Sequence, residues 1–269
     1  MNTGDLKISI IGAGNIGTAI VTGLLRSGQV NPGNISLTRR NLKLLEKFMV
    51  QGIKTGSDNN EAVKNSDIII IAVLPKQFES VVKELSGSID PDRHILVSVV
   101  TAVSIEEIKA IAGENVRVVR AMPNIAVSVG ESMTCLTAED EEKDALDVVN
   151  SIFSLAGNTI IINERLMGAA TILGACGIAF FMRYVRAASQ GGIQVGFHAS
   201  DALAIAAQTA RGATKILMES GHHPETEIDK VTTPMGCTIA GLNEMEHNGL
   251  NSALIKGIVT SFNEINKLK

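Results

Sequence analysis

Residues 67–73 of the chain read Asp-Ile-Ile-Ile-Ile-Ala-Val, a continuous apolar run dominated by β-branched side chains. A strand with one face in water alternates apolar and polar residues, so a run without alternation indicates a strand buried on both faces. Such strands are typical of a parallel sheet with helices packed on both sides. This run constrains the fold more than any other part of the sequence.

Shorter runs of the same kind recur along the first half of the chain, with helical patterns between them. The predicted strands are residues 7–11, 35–38, 67–73, 94–100 and 116–121, and the predicted helices are residues 15–27, 42–51, 78–85 and 104–112. Strands and helices that alternate at this spacing predict an α/β fold with a doubly wound, Rossmann-like parallel sheet. We place this domain at residues 1–163.

The sequence changes character in its last third. Residues 164–188, 199–220 and 250–269 show helical periodicity and almost no strand signal, which predicts an all-helical domain over residues 164–269. Ser200 and Asp201 suit a helix N-terminus, and Gly221 suits the end of that helix. These helices have more apolar residues than a lone bundle can bury, so we expect a dimerisation surface.

Composition excludes several classes of protein. The uncharged stretch at residues 166–182 is shorter than a bilayer span, so we interpret it as a buried helix and expect no membrane association. A net charge of −4 gives no electrostatic footprint for nucleic acid. Three widely spaced cysteines form neither a disulfide framework nor a zinc pattern, and we expect no metal. With no visible signal peptide, the chain is expected in the cytoplasm.

The first predicted strand leads directly into a G-x-G-x-x-G sequence that opens the first predicted helix: Gly12, Ala13, Gly14, Asn15, Ile16 and Gly17. In this context the pattern indicates a dinucleotide-binding turn. The first glycine permits the tight turn, the second lets the backbone approach a pyrophosphate, and the third lets helix and strand pack closely. The helix N-terminus offers unpaired N–H groups to the anion. The alternative is a glycine-rich turn without a ligand.

The end of the second predicted strand distinguishes NAD from NADP. An NAD site has an acidic residue there that binds the ribose 2′-hydroxyl, whereas this chain has Thr38, Arg39 and Arg40. Two guanidinium groups offer planar donors to a 2′-phosphate. We therefore predict NADPH as the cofactor and keep NADH as the alternative. A solvated arginine pair before a helix would explain the same residues without a ligand.

Several motifs occur in a fixed order along the chain. They are IIGAGNIG at residues 10–17, IIIIAVLPKQ at 68–77, RAMPN at 120–124 and HPETEIDKVTTPMGCTIAGLNEME at 223–246. Together they resemble the pyrroline-5-carboxylate reductase family over nearly the full length. Residues 232–242, followed by Glu244 and Glu246, are the most specific part and look like the family's substrate-binding loop and the helix after it.

The resemblance implies a Rossmann domain followed by a helical domain that interlocks into homodimers, often assembled into decamers. It implies hydride transfer from NADPH, or less often NADH, to the C=N carbon of 1-pyrroline-5-carboxylate, a small cyclic imine. The product is L-proline, and the reaction is the last step of proline biosynthesis.

The resemblance also implies which residues bind ligands. Besides the glycine turn and Thr38–Arg39, the family's cofactor contacts fall on Asn59, Ala72, Val73, Leu74, Pro75, Val99, Val100 and Thr101. Its substrate contacts fall on Glu164, on the loop at 174–177 with Cys176 and Gly177, and on the loop at 234–238 with Gly236, Cys237 and Thr238. This chain departs from the family pattern at residues 73–77, in both substrate loops and at Met235, so a related imine or a modified ring stays open as substrate.

Imine reduction needs little acid–base machinery, because hydride attacks a protonated C=N readily and the cofactor supplies the hydride. Thr238 is our candidate to share a proton with the ring nitrogen; the alternative is a helix N-cap. Glu164 either steers the cationic ring or orients Thr238, or it is a surface acid at a helix start. Asn124, at the carboxyl end of the fifth predicted strand, either contacts the nicotinamide side of the cofactor or ends a turn.

Two other functions remain as alternatives. A β-hydroxyacid dehydrogenase shares the two-domain plan but needs a catalytic lysine on a helix of the second domain, for which Lys215 and Lys230 are the candidates. Lys230 also stands among our candidate substrate contacts. A non-catalytic dinucleotide sensor would keep the glycine turn without a substrate loop, and the sequence at 232–242 argues against it.

Overall fold

The structure is a computed structural model that describes residues 3–265. The chain divides into two compact units. The first comprises the chain up to Cys176 together with the C-terminal residues from Ser261, and the second comprises Gly177–Thr260. The predicted boundary after residue 163 marks the change from alternating strands and helices to helical periodicity alone, and it stays a prediction.

The first unit is built on one eight-stranded sheet in the order β3-β2-β1-β4-β5-β6-β7-β8. The strands are β1 (Ile8–Ile11), β2 (Ile35–Thr38), β3 (Lys54–Gly56), β4 (Ile68–Ile71), β5 (Ile95–Ser98), β6 (Arg117–Met122), β7 (Ser132–Ala138) and β8 (Gly157–Ile161). The Rossmann-like class is confirmed. The predicted strands β1, β2, β4, β5 and β6 are parallel, and so is β3, which the sequence analysis did not predict.

The last two strands run in the opposite direction, which the expectation of a parallel sheet did not include. β7 is antiparallel to β6, and β8 is parallel to β7. Only residues 123–131 join β6 to β7, and a parallel neighbour needs a crossover of a dozen or more residues. The short link therefore forces the chain to turn back beside β6.

Seven α-helices are described in the first unit before Cys176. They are α1 (Asn15–Ser27), α2 (Glu46–Met49), α3 (Asn59–Lys64), α4 (Pro75–Leu85), α5 (Ile105–Ala112), α6 (Lys143–Phe153) and α7 (Met167–Ala170). The helix predicted at 42–51 is a 3-10 turn, Leu42–Leu45, followed by the short α2. A π-helical turn, Thr171–Cys176, follows α7.

The central strands separate two hydrophobic cores, one on each face of the sheet. On β4, Ile68 and Ile70 pack in a cluster with Leu24 of α1, whereas Ile69 and Ile71 pack in a second cluster with Phe78 of α4. Successive side chains of a strand point to opposite faces. The run identified in the sequence is therefore buried on both faces, as predicted.

The second unit is helical throughout its described residues apart from short connections. Its helices are α8 (Gly177–Gln194), α9 (Ala199–Ser220), α10 (Pro224–Val231), α11 (Cys237–His247) and α12 (Leu250–Ile265), of which the last five residues belong to the first unit. Gly221 ends α9 in the left-handed conformation, as predicted. The N-cap of α9 is His198, so Ser200 and Asp201 lie inside its first turn rather than capping it.

The expectation of a buried helix at 166–182 is wrong for the chain by itself. The helical stretch Glu164–Gln194 has 31 residues, and its most apolar 18-residue window has a mean hydropathy of 1.6 and is only 17% buried. By length and composition alone this stretch could cross a membrane. The expectation that it is shorter than a bilayer span is therefore wrong as well. Its apolar side chains lie on the surface of the chain, where they need a partner outside it.

Candidate functional site

The glycine turn between β1 and α1 brings three backbone segments close together. Gly12 has φ +104°, and a Cβ there would lie 2.7 Å from the carbonyl oxygen of Ala72. A Cβ on Gly17 would lie 2.2 Å from the carbonyl oxygen of Gly12, so α1 packs directly on the turn. A Cβ on Gly14 would meet nothing within 4 Å, which leaves open space in front of the helix.

The N-terminus of α1 faces that open space without a protein cap. Gly14 is the N-cap residue, and no side chain accepts a hydrogen bond from the first turn in the described part of the chain. The first N–H groups of a helix have no intrahelical acceptor and lie at the positive end of the helix dipole. This turn is therefore suited to a phosphate group.

The end of β2 places basic and hydroxyl donors beside the glycine turn. The Ala13 amide donates to the Thr38 carbonyl oxygen over 2.9 Å, and the Arg39 guanidinium donates through Nη1 to the Ala13 carbonyl oxygen over 2.6 Å. Arg39 has further N–H donors in its planar group, and Arg40 is exposed. The buried Thr38 hydroxyl has no hydrogen-bond partner among residues 3–265.

These features fit a dinucleotide with a 2′-phosphate better than one with a free 2′-hydroxyl. The residue at the end of β2 is Thr38, where an NAD site has an acid. A buried hydroxyl without a partner is costly, so it favours a ligand oxygen nearby. The two guanidinium groups supply charge-assisted donors to the same place.

Two further predicted cofactor segments lie at the same edge of the sheet as the glycine turn. The Ala72 amide donates to the Ile11 carbonyl oxygen over 2.8 Å, and the Val99 amide donates to the Ile71 carbonyl oxygen over 3.1 Å. The strands β1, β4 and β5 therefore end side by side, with Val73, Leu74, Val100 and Thr101 in the loops that follow and Pro75 as the first residue of α4. Asn59 lies in the first turn of α3, where its amide donates to Glu84 over 3.2 Å.

Glu164 is held inside the first unit by two partners. Its Oε1 accepts from the Ile105 amide, the first residue of α5, over 2.7 Å and from the Arg120 guanidinium over 3.0 Å. The Arg120 side chain is 8% exposed and that of Glu164 is 35% exposed. The Glu164 carboxylate thus joins α5 and β6 to the start of the helical stretch Glu164–Gln194. The sequence analysis expected either a substrate-site role or a surface acid, and did not expect this link.

Arg120 was missed as a candidate by sequence reasoning. It is the one charged residue in the otherwise apolar run Val118–Met122 of β6, and a charge in a buried strand requires a buried partner. That signal points to an ion pair, although it does not identify Glu164, which is 44 residues away along the chain.

Replacing Glu164 by glutamine should lower the free energy of unfolding by about 2 kcal/mol, because it leaves the buried Arg120 charge without its counter-ion. The value is below that of a fully buried pair, since Glu164 is partly exposed. Denaturant unfolding measures it. Glu79→Gln is the matched control, because the Glu79–Lys83 pair is exposed and its loss should not be measurable. An equal change in the free energy of unfolding for the two substitutions would contradict a stabilising ion pair between Glu164 and Arg120.

Asn124 follows β6 and has both side-chain atoms engaged. Its Oδ1 accepts from the Ala126 amide over 3.0 Å, which caps a 3-10 helix, and its Nδ2 donates to the Gly174 carbonyl oxygen over 3.2 Å. The residue is 6% exposed. Asn124 therefore contacts the π-helical turn that includes Cys176.

The predicted loop of the second unit joins α10 to α11. Met235 has φ +60° and is fully exposed, at the position where the family pattern has glycine. A Cβ on Gly236 would lie 2.5 Å from the Thr233 hydroxyl and 2.9 Å from the Thr233 carbonyl oxygen, so a side chain at this position would force the backbone of the turn to shift. Gly236 is the N-cap of α11 and offers no side chain to it.

Thr238 is the second residue of α11 and half-buried, so the alternative in which it caps this helix is wrong. Its backbone is already helical, whereas an N-cap residue lies outside the helix. The uncapped N–H groups of the first turn and the Thr238 hydroxyl are therefore on the same turn of the helix.

The remaining candidates are two lysines and two cysteines. Lys230 forms a salt bridge with Glu227 over 2.8 Å, and Lys215 forms an exposed one with Glu219 over 3.5 Å. The pKa of Glu227 is lowered to about 2 by its hydrogen bonds from Lys230 and His222. Cys176 is half-exposed and Cys237 is exposed, and both are free thiols. Within residues 3–265 there is no cluster of three or more metal-ligating side chains.

Comparison with known families divides the chain in two. Residues 7–102 match the family model described as NADP oxidoreductase coenzyme F420-dependent, and residues 164–268 match the one described as pyrroline-5-carboxylate reductase dimerisation. The second match begins at Glu164 and covers the exposed apolar helices.

Curated relatives match over nearly the whole chain. Pyrroline-5-carboxylate reductase 2 of Dictyostelium discoideum is 44% identical over 98% of this chain and 94% of its own length. Pyrroline-5-carboxylate reductase 1 of the same organism is 47% identical over 96% of this chain and 49% of its own length. The chain thus spans about half the length of that relative.

Solved structures share the fold. A pyrroline-5-carboxylate reductase from Coxiella burnetii is 28% identical with a TM-score of 0.88, and the match covers 98% of each chain. A Plasmodium falciparum pyrroline carboxylate reductase with NADP bound gives the same TM-score and coverage at 22% identity. The chain therefore shares its fold with pyrroline-5-carboxylate reductases of known structure.

Proposed function

Because the chain belongs to the pyrroline-5-carboxylate reductase family, we propose that it reduces 1-pyrroline-5-carboxylate to L-proline. The observation that carries this conclusion is 44% identity to a reductase over 94% of that relative's length, in a chain whose glycine turn is intact. The nicotinamide, when bound, supplies the hydride, and a proton from solvent completes the amine. The residues of the chain bind and orient the substrate and the cofactor, and they exclude water from the site.

The cofactor of this reaction is NADPH, with NADH as a weaker alternative. The glycine turn and the free N-terminus of α1 support binding of the diphosphate. Thr38, Arg39 and Arg40 bind the 2′-phosphate, and the orphan hydroxyl of Thr38 supports this assignment. Asn59 and the loops after β4 and β5 complete the cofactor contacts.

The substrate is bound by Glu164, Cys176, Gly177, Lys230, Gly236, Cys237 and Thr238. The uncapped first turn of α11 supports a contact with the substrate carboxylate. The Thr238 hydroxyl shares a proton with the ring nitrogen, since a protonated C=N is the better hydride acceptor. The Gly236 backbone lets a small ring approach closely.

The helical domain at 164–269 forms homodimers, and these assemble further into a decamer. The dimerisation match and the exposed apolar side chains of α8, α9 and α12 support the homodimer. On this proposal the apolar stretch Glu164–Gln194 packs against a second copy rather than lipid. The free cysteines support a reducing, cytoplasmic location.

Replacing Thr238 by alanine should lower kcat roughly tenfold, the effect of losing one hydrogen bond of about 1.4 kcal/mol to the reacting centre. The dissociation constant for NADPH should not change. Steady-state kinetics and fluorescence titration measure the two quantities. Thr226→Ala, an exposed threonine on α10, is the control and should leave both unchanged. An unaltered kcat in the Thr238 variant would remove this residue from the mechanism.

The function itself is tested by mixing the protein with NADPH and 1-pyrroline-5-carboxylate and following nicotinamide absorbance. Turnover with formation of proline supports the proposal. Cofactor binding without turnover supports the dinucleotide sensor instead. Oxidation of hydroxy acids with NADP or NAD, and no imine reduction, supports the dehydrogenase.

A further inference from the structure

The side chain of Asn124 joins two segments that are 50 residues apart in the sequence. Its acceptor oxygen caps the 3-10 helix Ile125–Val129, and its amide nitrogen donates to the Gly174 carbonyl oxygen. The backbone of Asn124 is fixed as well, because its amide donates to the Ser132 hydroxyl over 3.2 Å. This asparagine is therefore buried, oriented by three hydrogen bonds and committed to partners within the protein.

The segment that Asn124 holds has an uncommon conformation. Thr171–Cys176 forms a π-helical turn, and such turns occur mostly as single insertions in helices and often at functional sites. The Thr171 hydroxyl donates to the Met167 carbonyl oxygen over 2.8 Å, within the preceding turn. A wider, less regular turn needs contacts from outside the helix to fix its position.

The other end of the same stretch is also tied to β6. Glu164 accepts from Arg120 of β6, and Gly174 accepts from Asn124, which lies two residues beyond the end of β6. One strand and its following residues thus hold both ends of residues 164–174. These two contacts tie the π-helical turn to β6 and to the residues that follow it.

We propose that Asn124 is a positioning residue for substrate binding, which acts by fixing the π-helical turn, and not a ligand of the cofactor. The assignment rests on the proposed function, because Cys176 in this turn is among the proposed substrate contacts. Both side-chain polar atoms of Asn124 bind groups of the protein, and the residue is only 6% exposed, so its amide is oriented by the protein interior rather than by the nicotinamide. Loss of the Asn124–Gly174 bond lets the turn shift while the cofactor site is unchanged.

The first test is Asn124→Ser, because serine keeps the cap on the Ala126 amide but is too short to reach Gly174. The KM for 1-pyrroline-5-carboxylate should rise about tenfold, as expected for one lost hydrogen bond, while kcat falls less. The dissociation constant for NADPH should stay within about twofold. Asn31→Ser is the matched control, since Asn31 caps a 3-10 helix in the same way but is exposed and lies at the far end of α1.

A second variant keeps the test decisive if Asn124→Ser folds poorly. Asn124→Asp has the same shape, and its ionised carboxylate accepts from Ala126 but cannot donate to Gly174. The protonated acid can donate, and burial beside a carbonyl oxygen favours that form. The ratio of its substrate KM to that of the wild type should therefore fall as the pH is lowered.

The possible outcomes distinguish a failure of the proposed function from a failure of the positioning role assigned to Asn124. A wild-type protein without imine reduction overturns the proposed function and this assignment with it. An active wild type whose Asn124→Ser variant has an unchanged substrate KM overturns the assignment alone. A rise in the NADPH dissociation constant equal to the rise in KM, or a pH-independent KM ratio for Asn124→Asp, does the same.

Discussion

Replacing Gly17 by alanine is expected to lower the free energy of unfolding by roughly 3 kcal/mol, because overpacking at a rigid contact forces the backbone apart. The added Cβ would lie 2.2 Å from the Gly12 carbonyl oxygen, which belongs to backbone and cannot rotate away. The turn must then move off the end of α1. Losing two hydrogen bonds from the turn to the charged diphosphate, about 3 kcal/mol together, should lower NADPH affinity about 100-fold.

Gly14→Ala is the matched control for this prediction. A Cβ on Gly14 meets nothing within 4 Å, so the free protein should keep its stability. The methyl group nevertheless occupies the space in front of the uncapped N-terminus of α1, so NADPH binding should weaken. Thermal unfolding without cofactor and titration with NADPH separate the two effects. A loss of stability in Gly14→Ala as large as in Gly17→Ala would contradict close packing of Gly17 on the Gly12 carbonyl oxygen.

Removing both guanidinium groups at the end of β2 should change the preference between cofactors. The double substitution Arg39→Ala with Arg40→Ala is expected to weaken NADPH binding about 100-fold, since two charge-assisted hydrogen bonds contribute about 3 kcal/mol together. NADH binding should weaken by no more than a few-fold, through the lost contact between Arg39 and the Ala13 carbonyl oxygen. Titration with each cofactor measures the ratio.

Arg26→Ala controls for the general loss of positive charge. Arg26 is exposed in the last turn of α1, away from the glycine turn at its start. It should leave both dissociation constants unchanged. Equal weakening of NADPH and NADH in the double variant would show that the two arginines do not read the 2′-phosphate.

The parts of the fold that the sequence predicted are those with a local signal. The strands β1, β2, β4, β5 and β6 are short apolar runs, and the bounds of α1 and α9 follow from helical periodicity and from glycines at their ends. β3 and β8 were missed because they are short edge strands with exposed residues. β7 was missed because its inward-facing positions include the buried polar Ser132 and Thr134.

The helix α6 was also missed, although its apolar residues follow a helical pattern in the sequence. In α6 the buried residues are Ala145, Leu146, Val149, Ile152 and Phe153, which recur at helical spacing. The sequence also placed the glycine turn and the basic end of β2 side by side, because both follow neighbouring strands of a parallel sheet. It did not place Glu164 on Arg120 or Asn124 on Gly174, since contacts between residues 44 and 50 positions apart leave no trace in a single sequence.

The second unit leaves many large apolar side chains exposed: Phe181, Met182, Tyr184, Phe197, Leu203, Ile216, Met218, Leu254, Ile255 and Val259. Association of copies through such a surface binds the folded form and not the unfolded one, so it adds to stability by mass action. The midpoint of thermal unfolding is then a property of the solution as much as of the chain, and dilution alone lowers it. A single melting temperature for this protein has meaning only beside the subunit concentration at which it was recorded.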